Sequence, residues 1–254
     1  MPQFGTPLMD ISAYQDYELI IGSDGVNSIV RQSGSFGTVL EPLSNKFVWF
    51  GARRPFDTLT QSFRETTKGR FNAHHYRYAP DMSTFIVETD EATWAAAGFA
   101  DMSEEESRVT CEQLFADVLE GAPLVANKSL WRNFPKLWND TWYDGNKVLL
   151  GDSLHTAHFS IGSGTRLAME DGIALVRAMT DANGDVSKAL PAYQAARKPI
   201  VEKIVVAANR SALWYEDFAK HMELSPWDLA DSYIRRAGRI DDDRLRKLAP
   251  KFMA

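Results

Sequence analysis

The feature that most constrains this chain is a short apolar segment that ends in glycine beside an aspartate, and it occurs twice. The first copy, Tyr17–Gly22, leads into Ser23-Asp24-Gly25, and the second, Asn146–Gly151, is followed by Asp152. A buried strand that runs directly into a glycine turn is typical of an α/β sheet. We therefore predict that both segments belong to one sheet in space.

The region between the two copies has a different pattern. Three segments are predicted to be strands, Lys46–Phe50, Phe71–Tyr78 and Ser83–Thr89. Turn signals separate them, which predicts an antiparallel sheet, with a further strand within Pro55–Gly69 and a hairpin at Pro80-Asp81-Met82. Thr89 or Asp90 is expected to cap a short helix, and Ser103 followed by acidic residues predicts another helix start.

Helical spacing returns after the second glycine–aspartate pair. A loop rich in Gly, Ser and His covers Ser153–Thr165, and a largely buried helix is predicted from Arg166 onward. A second long helix is predicted over Val186–Phe218, interrupted at Pro191 and Pro199. The predicted organisation is a nucleotide-binding part at residues 1–40 and 140–185, an inserted sheet domain at 41–139 and a C-terminal helical region at 186–254.

The segment around Asp152 carries the strongest chemical signal. Ligands of α/β sheets bind at the carboxyl ends of the strands, where a carboxylate can accept hydrogen bonds from the hydroxyl groups of a sugar-like chain. The following Gly162-Ser163-Gly164-Thr165 opens a helix with small residues, so a flat ligand can approach the backbone. The helix N-terminus favours negative charge, such as the N1/O2 edge of a reduced flavin. The simpler alternative is that these glycines serve only the turn.

Composition excludes several classes of protein. The net charge of −6 lacks the basic surplus of a general nucleic-acid binder. No apolar stretch is long enough for a transmembrane helix, and the N-terminal residues lack the pattern of a signal peptide, so we expect a cytoplasmic protein without membrane partners. The single cysteine, Cys111, excludes an intramolecular disulfide and is expected to be buried and inert.

The two motifs together resemble those of the single-component flavin-dependent aromatic hydroxylases, which have the p-hydroxybenzoate hydroxylase fold. The sharper resemblance is to the branch of salicylyl-CoA 5-hydroxylases and anthraniloyl-CoA monooxygenases. Four segments carry it: Ser23–Ser28, Asn45–Gly51, Ser83–Thr89 and Leu149–Asp171. A tryptophan-pathway branch of violacein-type hydroxylases has a run similar to His158–Gly162 and is the nearest alternative.

The resemblance implies a mixed α/β fold: part of an FAD-binding Rossmann-like domain with an inserted antiparallel sheet for the substrate and C-terminal helices. It implies FAD, reduction by NAD(P)H, and transfer of oxygen from a flavin C4a-hydroperoxide, formed with O2, to an activated aromatic ring or aryl-CoA thioester. It assigns Asp152 to the ribityl chain, the backbone of Gly162–Thr165 to the pyrimidine edge, and Asp24 and Arg31 to the neighbourhood of the pyrophosphate. The full set of expected cofactor residues is Asp24, Gly25, Arg31, Gly151, Asp152, Gly162, Ser163, Gly164 and Thr165, and the expected catalytic residues are His155, His158 and His75.

The chain departs from the family at one point, because it contains no Gly-x-Gly-x-x-Gly. In the family that fingerprint belongs to an N-terminal βαβ unit that holds the ADP half of FAD. We therefore expect a fragment, a split subunit or a truncated product that binds FAD poorly alone and needs a separate or upstream Rossmann segment. A non-catalytic remnant or partner subunit that retains the fold is the competing hypothesis.

Two pairs of histidines need a separate interpretation. His155 and His158 are three residues apart, but no third ligand accompanies them apart from Asp152, so no metal site is predicted. His74 and His75 are adjacent in a predicted strand and point to opposite faces. One of them is expected to line the substrate pocket and the other to be exposed.

Overall fold

The computed structural model describes residues 3–253, which divide into two compact units. Unit 1 comprises the chain up to Glu41, Pro135–Leu213 and the chain from Ile234 onward, and unit 2 comprises Pro42–Phe134 and Trp214–Tyr233. The strands are β1 (Ile20–Gly22), β2 (Thr38–Ala52), β3 (Thr60–Thr66), β4 (Gly69–Ala79), β5 (Met82–Thr89), β6 (Leu124–Val125), β7 (Arg132–Asn139), β8 (Tyr143–Asp144) and β9 (Lys147–Leu149). The α-helices are α1 (Ile29–Gln32), α2 (Glu91–Ala96), α3 (Glu104–Leu114), α4 (Ala116–Leu119), α5 (Gly164–Asp181), α6 (Val186–Glu216), α7 (Phe218–His221), α8 (Pro226–Arg235) and α9 (Asp242–Leu248).

Unit 1 contains a small sheet in the order β1-β9-β8. The strands β1 and β9 pair in parallel, with Ile20 opposite Lys147 and Gly22 opposite Leu149. This pairing confirms the prediction that the two glycine–aspartate segments share one sheet. Gly22 ends β1 and Gly151 follows two residues after the end of β9, so both motifs lie at the carboxyl end of the parallel pair, where α/β sheets bind ligands.

Helices α5 and α6 supply much of the apolar core of unit 1. The buried face of α5 includes Leu167, Leu175 and Ala178, which recur at helical spacing. The core residues of α6 include Leu190, Tyr193, Val201 and Val205, and Trp142 lies fully buried among them. Burial of this large apolar area is the main stabilising contribution to the unit.

Unit 2 contains an antiparallel sheet in the order β3-β4-β5-β2-β6, with β7 paired to β2. The hairpin between β4 and β5 places Ala79 opposite Met82, as the turn signal at Pro80-Asp81 predicts. Phe50, Phe71 and Phe85 from one face of this sheet join a core that includes Cys111 and Phe115. The antiparallel insertion and its further strand, β3, are therefore confirmed.

The helix starts of unit 2 follow their capping residues. The Asp90 side chain accepts a hydrogen bond from the Thr93 backbone N–H at the start of α2. Ser103 and Glu106 form a complete capping box at the start of α3. The acidic first turn predicted after Ser103 is thus a helix start in the structure.

The long C-terminal helix differs from its prediction. Pro191 and Pro199 both lie inside α6, which runs without a break from Val186 to Glu216. A proline inside a helix costs about 3 kcal/mol because it removes one backbone hydrogen bond and crowds the preceding turn. Burial of the apolar face of α6 offsets this cost, so tertiary packing overrides the local signal for a break.

Candidate functional site

The turn after β9 presents Asp152 at the surface. Gly151 has φ of +55°, and a Cβ atom on it would lie 2.8 Å from the Cβ of Ala168 in α5. Both the left-handed backbone and the close approach of α5 therefore require glycine at this position. Asp152 is exposed, and its carboxylate makes no hydrogen bond or ion pair with any residue in the described range 3–253. The Asp152 carboxylate is therefore available to accept hydrogen bonds from a ligand, and the turn that carries it is packed closely against α5.

The loop that follows this turn ends at the N-terminus of α5. Gly162 has φ of +61°, and the Ser163 side chain makes no capping hydrogen bond. The backbone N–H groups of Gly164, Thr165 and Arg166 have no acceptor within the described part of the chain. Unpaired N–H groups at the start of an 18-residue helix favour a negatively charged or electron-rich edge of a ligand.

In addition to the β1–β9 pairing, two side-chain hydrogen bonds next to the Asp152 turn connect the two motifs. The Asp24 carboxylate accepts the Ile29 backbone N–H at 2.8 Å and so caps α1, and Gly25 has φ of +79°. Arg31 is buried, and its guanidinium donates to the carbonyl oxygen atoms of Ser153, at 2.9 Å, and of Val26. Burial lowers the pKa of Arg31, and the nearby Asp24 opposes this effect.

The second of these bonds comes from a serine. The Ser153 hydroxyl donates to the Gly22 carbonyl oxygen at 2.5 Å, across the end of the β1–β9 pair. Together with the Arg31–Ser153 bond, it brings the two motifs into one structure. The sequence predicted that Asp24 and Arg31 belong to the same site as Asp152. It did not reveal that Arg31 contacts the second motif through backbone carbonyl oxygen atoms.

His155 lies behind the Asp152 turn in a buried polar network. Its Nε2 atom is 2.8 Å from Oδ2 of Asp171. The Gly151 backbone N–H donates to the same carboxylate oxygen at 3.2 Å, and Nε of Arg197 donates to Oδ1 at 2.8 Å. Because an ionised carboxylate only accepts, the proton of the His155 imidazole is assigned to Nε2. Arg197 was not predicted from the sequence. A signal was present, because Asp171 falls at the same helical spacing as the apolar residues Leu167 and Leu175, and a buried carboxylate needs a partner.

His158 lies in the same loop and is also buried. Its Nδ1 atom is 2.8 Å from the Ser160 hydroxyl, which is in turn 2.8 Å from the Ser211 hydroxyl on α6. The imidazole packs on Phe159, with the ring centroids 4.1 Å apart. His158 therefore anchors the loop immediately before the N-terminus of α5.

His75 lies in unit 2, on the sheet face that joins the apolar core. Its ring lies between Phe56 and Phe85, with centroid distances of 3.9 Å and 5.2 Å, and Nε2 is 3.0 Å from the Ser62 hydroxyl. Burial lowers the pKa of His75 to about 4, and the positive charge of Arg54 acts in the same direction. His75 is thus neutral at physiological pH.

The expectation that one residue of the His74–His75 pair is exposed is wrong. The exposed fractions are 7% for His74 and 2% for His75, so both are buried. Adjacent strand residues do point to opposite faces, but both faces of β4 are covered at this position. His74 stacks on Tyr76, the next residue on the same face.

Besides Asp171 in unit 1, a buried carboxyl group in unit 2 was not predicted from the sequence. Glu88 is only 3% exposed, and Nδ2 of Asn45 donates to it at 3.0 Å. Burial raises the pKa of Glu88 to about 8, the Asn45 bond lowers it, and the nearby Glu216 carboxylate raises it. Its only sequence signal is a lone acid in the apolar run Ser83–Thr89.

The residues around Asp152 fit the flavin and ribityl parts of FAD. They provide an unengaged carboxylate for hydroxyl groups, a glycine-containing approach to the backbone and free N–H groups for the electron-rich edge. The ADP part has no matching fingerprint, since the chain lacks Gly-x-Gly-x-x-Gly. Among residues 3–253, no cluster of His, Cys, Asp or Glu is suited to hold a metal ion. None of the helices in that range is long and apolar enough to cross a membrane.

Comparison with known proteins agrees with this arrangement. The chain is 38% identical to a salicyloyl-CoA 5-hydroxylase of Streptomyces sp over 92% of its length, which is 48% of that relative. It is 38% identical to a 3-hydroxy-4-methyl-anthranilyl-[aryl-carrier protein] 5-monooxygenase of Streptosporangium sibiricum, over 90% of this chain and 61% of that one. It is 36% identical to a protodeoxyviolaceinate monooxygenase of Chromobacterium violaceum, over 92% of this chain and 64% of that one. The chain thus spans about half to two thirds of the length of these relatives.

Solved structures show the same fold. PqsL of P. aeruginosa, in complex with 2-aminobenzoylacetate, has 25% identity and a TM-score of 0.59, over 82% of this chain and 59% of that chain. The OxyS anhydrotetracycline hydroxylase of Streptomyces rimosus has 18% identity and a TM-score of 0.60, over 87% of this chain and 44% of that chain. The mixed α/β fold predicted from the resemblance is therefore confirmed.

The family model supports the predicted cofactor. The model for the FAD binding domain matches residues 16–208, which include both glycine–aspartate segments and the N-terminal turn of α5. FAD is therefore the cofactor of the family, in agreement with the prediction. The chain belongs to the FAD binding domain family.

Proposed function

We propose that this chain is the flavin- and substrate-binding part of an FAD-dependent monooxygenase that hydroxylates an activated aromatic ring. The observation that carries the proposal is the unengaged Asp152 carboxylate on a glycine turn against α5. The free N–H groups at the start of the same helix add a second contact for a flavin. Similarity to three monooxygenases over at least 90% of the chain supports the reaction class.

The residues of unit 1 have separate roles in this proposal. Asp152 accepts hydrogen bonds from the ribityl hydroxyls, and the backbone of Gly162–Thr165 faces the pyrimidine edge. Asp24, Gly25 and Arg31 lie on the pyrophosphate and nicotinamide side. FAD, when bound, supplies the redox chemistry that couples NAD(P)H and O2 to oxygen insertion. The protein orients the flavin and excludes water from it.

The contacts of His155 and His158 support a different role from those of His75. His155 and His158 hold the loop beside the flavin, and their side-chain bonds to Asp171 and Ser160 support this positioning role. His75 was predicted to be catalytic. Its packing between two phenylalanine rings supports a role in shaping the core of unit 2, which we propose as the substrate-binding domain.

The proposed substrate is an aryl-CoA thioester such as salicylyl-CoA or anthraniloyl-CoA. The support is the printed activity of the first relative, a salicyloyl-CoA 5-hydroxylase, at 38% identity. The second relative acts on an anthranilyl group carried by a protein, which supports a thioester-linked aromatic acid more generally. A violacein-type hydroxylase activity is the alternative, favoured by the relative that acts on protodeoxyviolaceinate.

We also propose that a Rossmann segment, upstream or separate, completes the site. Strand β1 is at the edge of its sheet, and Ile21 on it is 46% exposed. The outer side of α5 exposes Met169, Ile173 and Val176 in a row at helical spacing. An open strand edge is suited to pairing with a further strand, and an exposed apolar helix surface is suited to packing against a further helix.

The test is expression of the chain with and without the segment encoded immediately upstream of it. FAD content is read from visible absorbance, and turnover is measured as aryl-CoA-stimulated NAD(P)H oxidation with product analysis. We expect bound FAD and hydroxylated aryl-CoA in the longer protein, and loss of FAD in its Asp152→Asn variant. The exposed Asp181→Asn change on α5 is the matched control.

The outcomes separate the hypotheses. Turnover with an indole substrate of the violacein type instead of aryl-CoA would favour the alternative enzyme. Absence of both flavin and turnover in the longer protein would contradict the enzyme and favour the non-catalytic remnant.

A further inference from the structure

We propose that Asp171 and Arg197 are positioning residues that hold the Gly151–Asp152 turn in its ligand-binding shape. The inference rests on the proposed function, because it concerns how Asp152 is presented to the flavin. Neither residue touches the exposed face of the turn. Asp171 accepts the Gly151 backbone N–H, and Arg197 acts through Asp171.

The contacts converge on one fully buried carboxylate. Asp171 is 0% exposed and receives hydrogen bonds from three elements: the Gly151 N–H at 3.2 Å, Nε2 of His155 at 2.8 Å and Nε of Arg197 at 2.8 Å. Arg197 also donates to the Leu167 carbonyl oxygen at 3.3 Å. The carboxylate therefore joins the turn, the loop and α6 to the middle of α5.

The Gly151 peptide is fixed on both sides. Its N–H donates to Asp171, and its carbonyl oxygen accepts the N–H groups of Leu154 and His155 at 2.8 Å and 2.9 Å. Asp152 is the next residue, and its side chain makes no hydrogen bond or ion pair within the described residues. The direction of its carboxylate is therefore set by the backbone conformation of the turn.

Stability alone is a weak reason for this network. A buried ion pair contributes little net stability, because desolvation cancels most of the attraction between the charges. What the network does provide is a fixed orientation of the Asp171 carboxylate, since Oδ2 accepts from Gly151 and His155 and Oδ1 accepts from Arg197. A neutral acceptor would satisfy the Gly151 backbone N–H as well as a carboxylate does. The bond from this N–H to Asp171 connects the network directly to the turn.

The test measures the Gly151 amide directly. The protein is labelled with 15N-glycine, and amide hydrogen exchange is followed by NMR in the wild type, Asp171→Asn and Leu175→Ala. Leu175 is 3% exposed, one turn from Asp171 on the same face of α5, so its variant loses stability without touching the turn. Exchange of Gly22, in the neighbouring strand, serves as the internal reference.

We expect Asp171→Asn to speed exchange at Gly151 about tenfold relative to Gly22, because one donor loses its acceptor. Leu175→Ala should speed both amides by the same factor. Equal effects in the two variants would overturn the proposal, since Asp171 would then support only packing. If Asp171→Asn does not fold, Arg197→Lys carries the same test, because lysine keeps the charge but cannot reproduce the guanidinium fork.

Flavin affinity in the same variants separates this inference from the proposed function. Faster Gly151 exchange with weaker flavin binding supports both. Faster exchange with flavin binding unchanged keeps the positioning role but contradicts the assignment of Asp152 to the flavin. Unchanged exchange overturns the positioning role whatever the affinity.

Discussion

The two units of this protein bury carboxyl groups in opposite ways. In unit 1, Asp171 is fully buried and is paired with Arg197 and His155. In unit 2, Glu88 is almost as deeply buried, but no Lys, Arg or His among residues 3–253 forms an ion pair with it. Its partner is the Asn45 amide, and burial raises its pKa to about 8.

The difference shows two solutions to the same electrostatic cost. A charge that leaves water must be paired or neutralised. Unit 1 retains charge and pairs it, beside the turn that carries Asp152. In unit 2 the buried Glu88 and His75 are neutral at pH 7 instead, because burial raises the pKa of Glu88 to about 8 and lowers that of His75 to about 4. Unit 1 should therefore depend on the intact ion network, and unit 2 on pH.

The largest expected effect is loss of the Asp171 carboxylate. Asp171→Ala removes the acceptor of Nε2 of His155 and of Nε of Arg197, while Arg197 keeps its ion pair with Glu170, so we expect a loss of about 3 kcal/mol in the free energy of unfolding. Urea denaturation of wild type and variant measures it. A loss below about 1 kcal/mol would mean that unit 1 does not depend on paired charge, and the comparison between the units would fail.

The next largest effect is the loss of stability at acid pH that is caused by burial of His75. The pKa is near 6.5 in the unfolded chain and about 4 in the folded chain, so between these values only the unfolded chain binds the proton. The stability contributed by neutral His75 is present above pH 6.5 and is lost as the pH falls towards 4. The loss is about 3 kcal/mol at most.

The measurement compares Glu88→Gln with the double variant Glu88→Gln/His75→Phe, at pH 7 and pH 4.5. The Glu88→Gln background removes the opposing titration of Glu88. We expect the double variant to lose less stability in acid by about that amount. Equal losses in the two proteins would show that His75 is protonated in the folded state and that its burial has no electrostatic cost.

The smallest effect concerns Glu88 at alkaline pH. Its folded pKa of about 8 lies above the unfolded value of 4.5, so the folded chain retains the proton longer. This contribution is fully present below pH 4.5 and is lost as the pH rises to 8. Between pH 6.5 and 8 we expect wild type to lose about 2 kcal/mol that Glu88→Gln does not lose, measured by urea denaturation across that window. If the free energy of unfolding depended on pH in the same way in wild type and in Glu88→Gln, Glu88 would be an ordinary ionised carboxylate in the folded protein.

Local patterns in the sequence predicted much of this fold. The strand pairs followed from apolar runs bounded by turn residues, and α2 and α3 begin where capping residues predict. The continuous course of α6 through Pro191 and Pro199 could not be predicted in this way, because its stability comes from packing in the core of unit 1, to which the helix belongs up to Leu213. Local propensity carries no information about such distant contacts.

The candidate site shows the same division. Gly151, Asp152 and the Gly162–Thr165 turn stand out because their residue types are unusual for their positions. The groups that support them, Arg197 on α6 and the Arg31 bond to Ser153, join residues far apart in the chain. A single sequence signals that a buried charge needs a partner, but it does not say which residue supplies it.

We propose above all that the chain holds the flavin part of FAD through Asp152 and that residues 3–253 offer little contact to the adenosine part. Titration of the chain with FMN and with FAD, followed by flavin fluorescence, tests it directly. We expect the two flavins to bind with affinities within about threefold of each other, and Asp152→Asn to weaken both about tenfold while Asp181→Asn weakens neither. FAD binding much tighter than FMN binding, or affinity for both flavins unchanged in Asp152→Asn, would contradict the account.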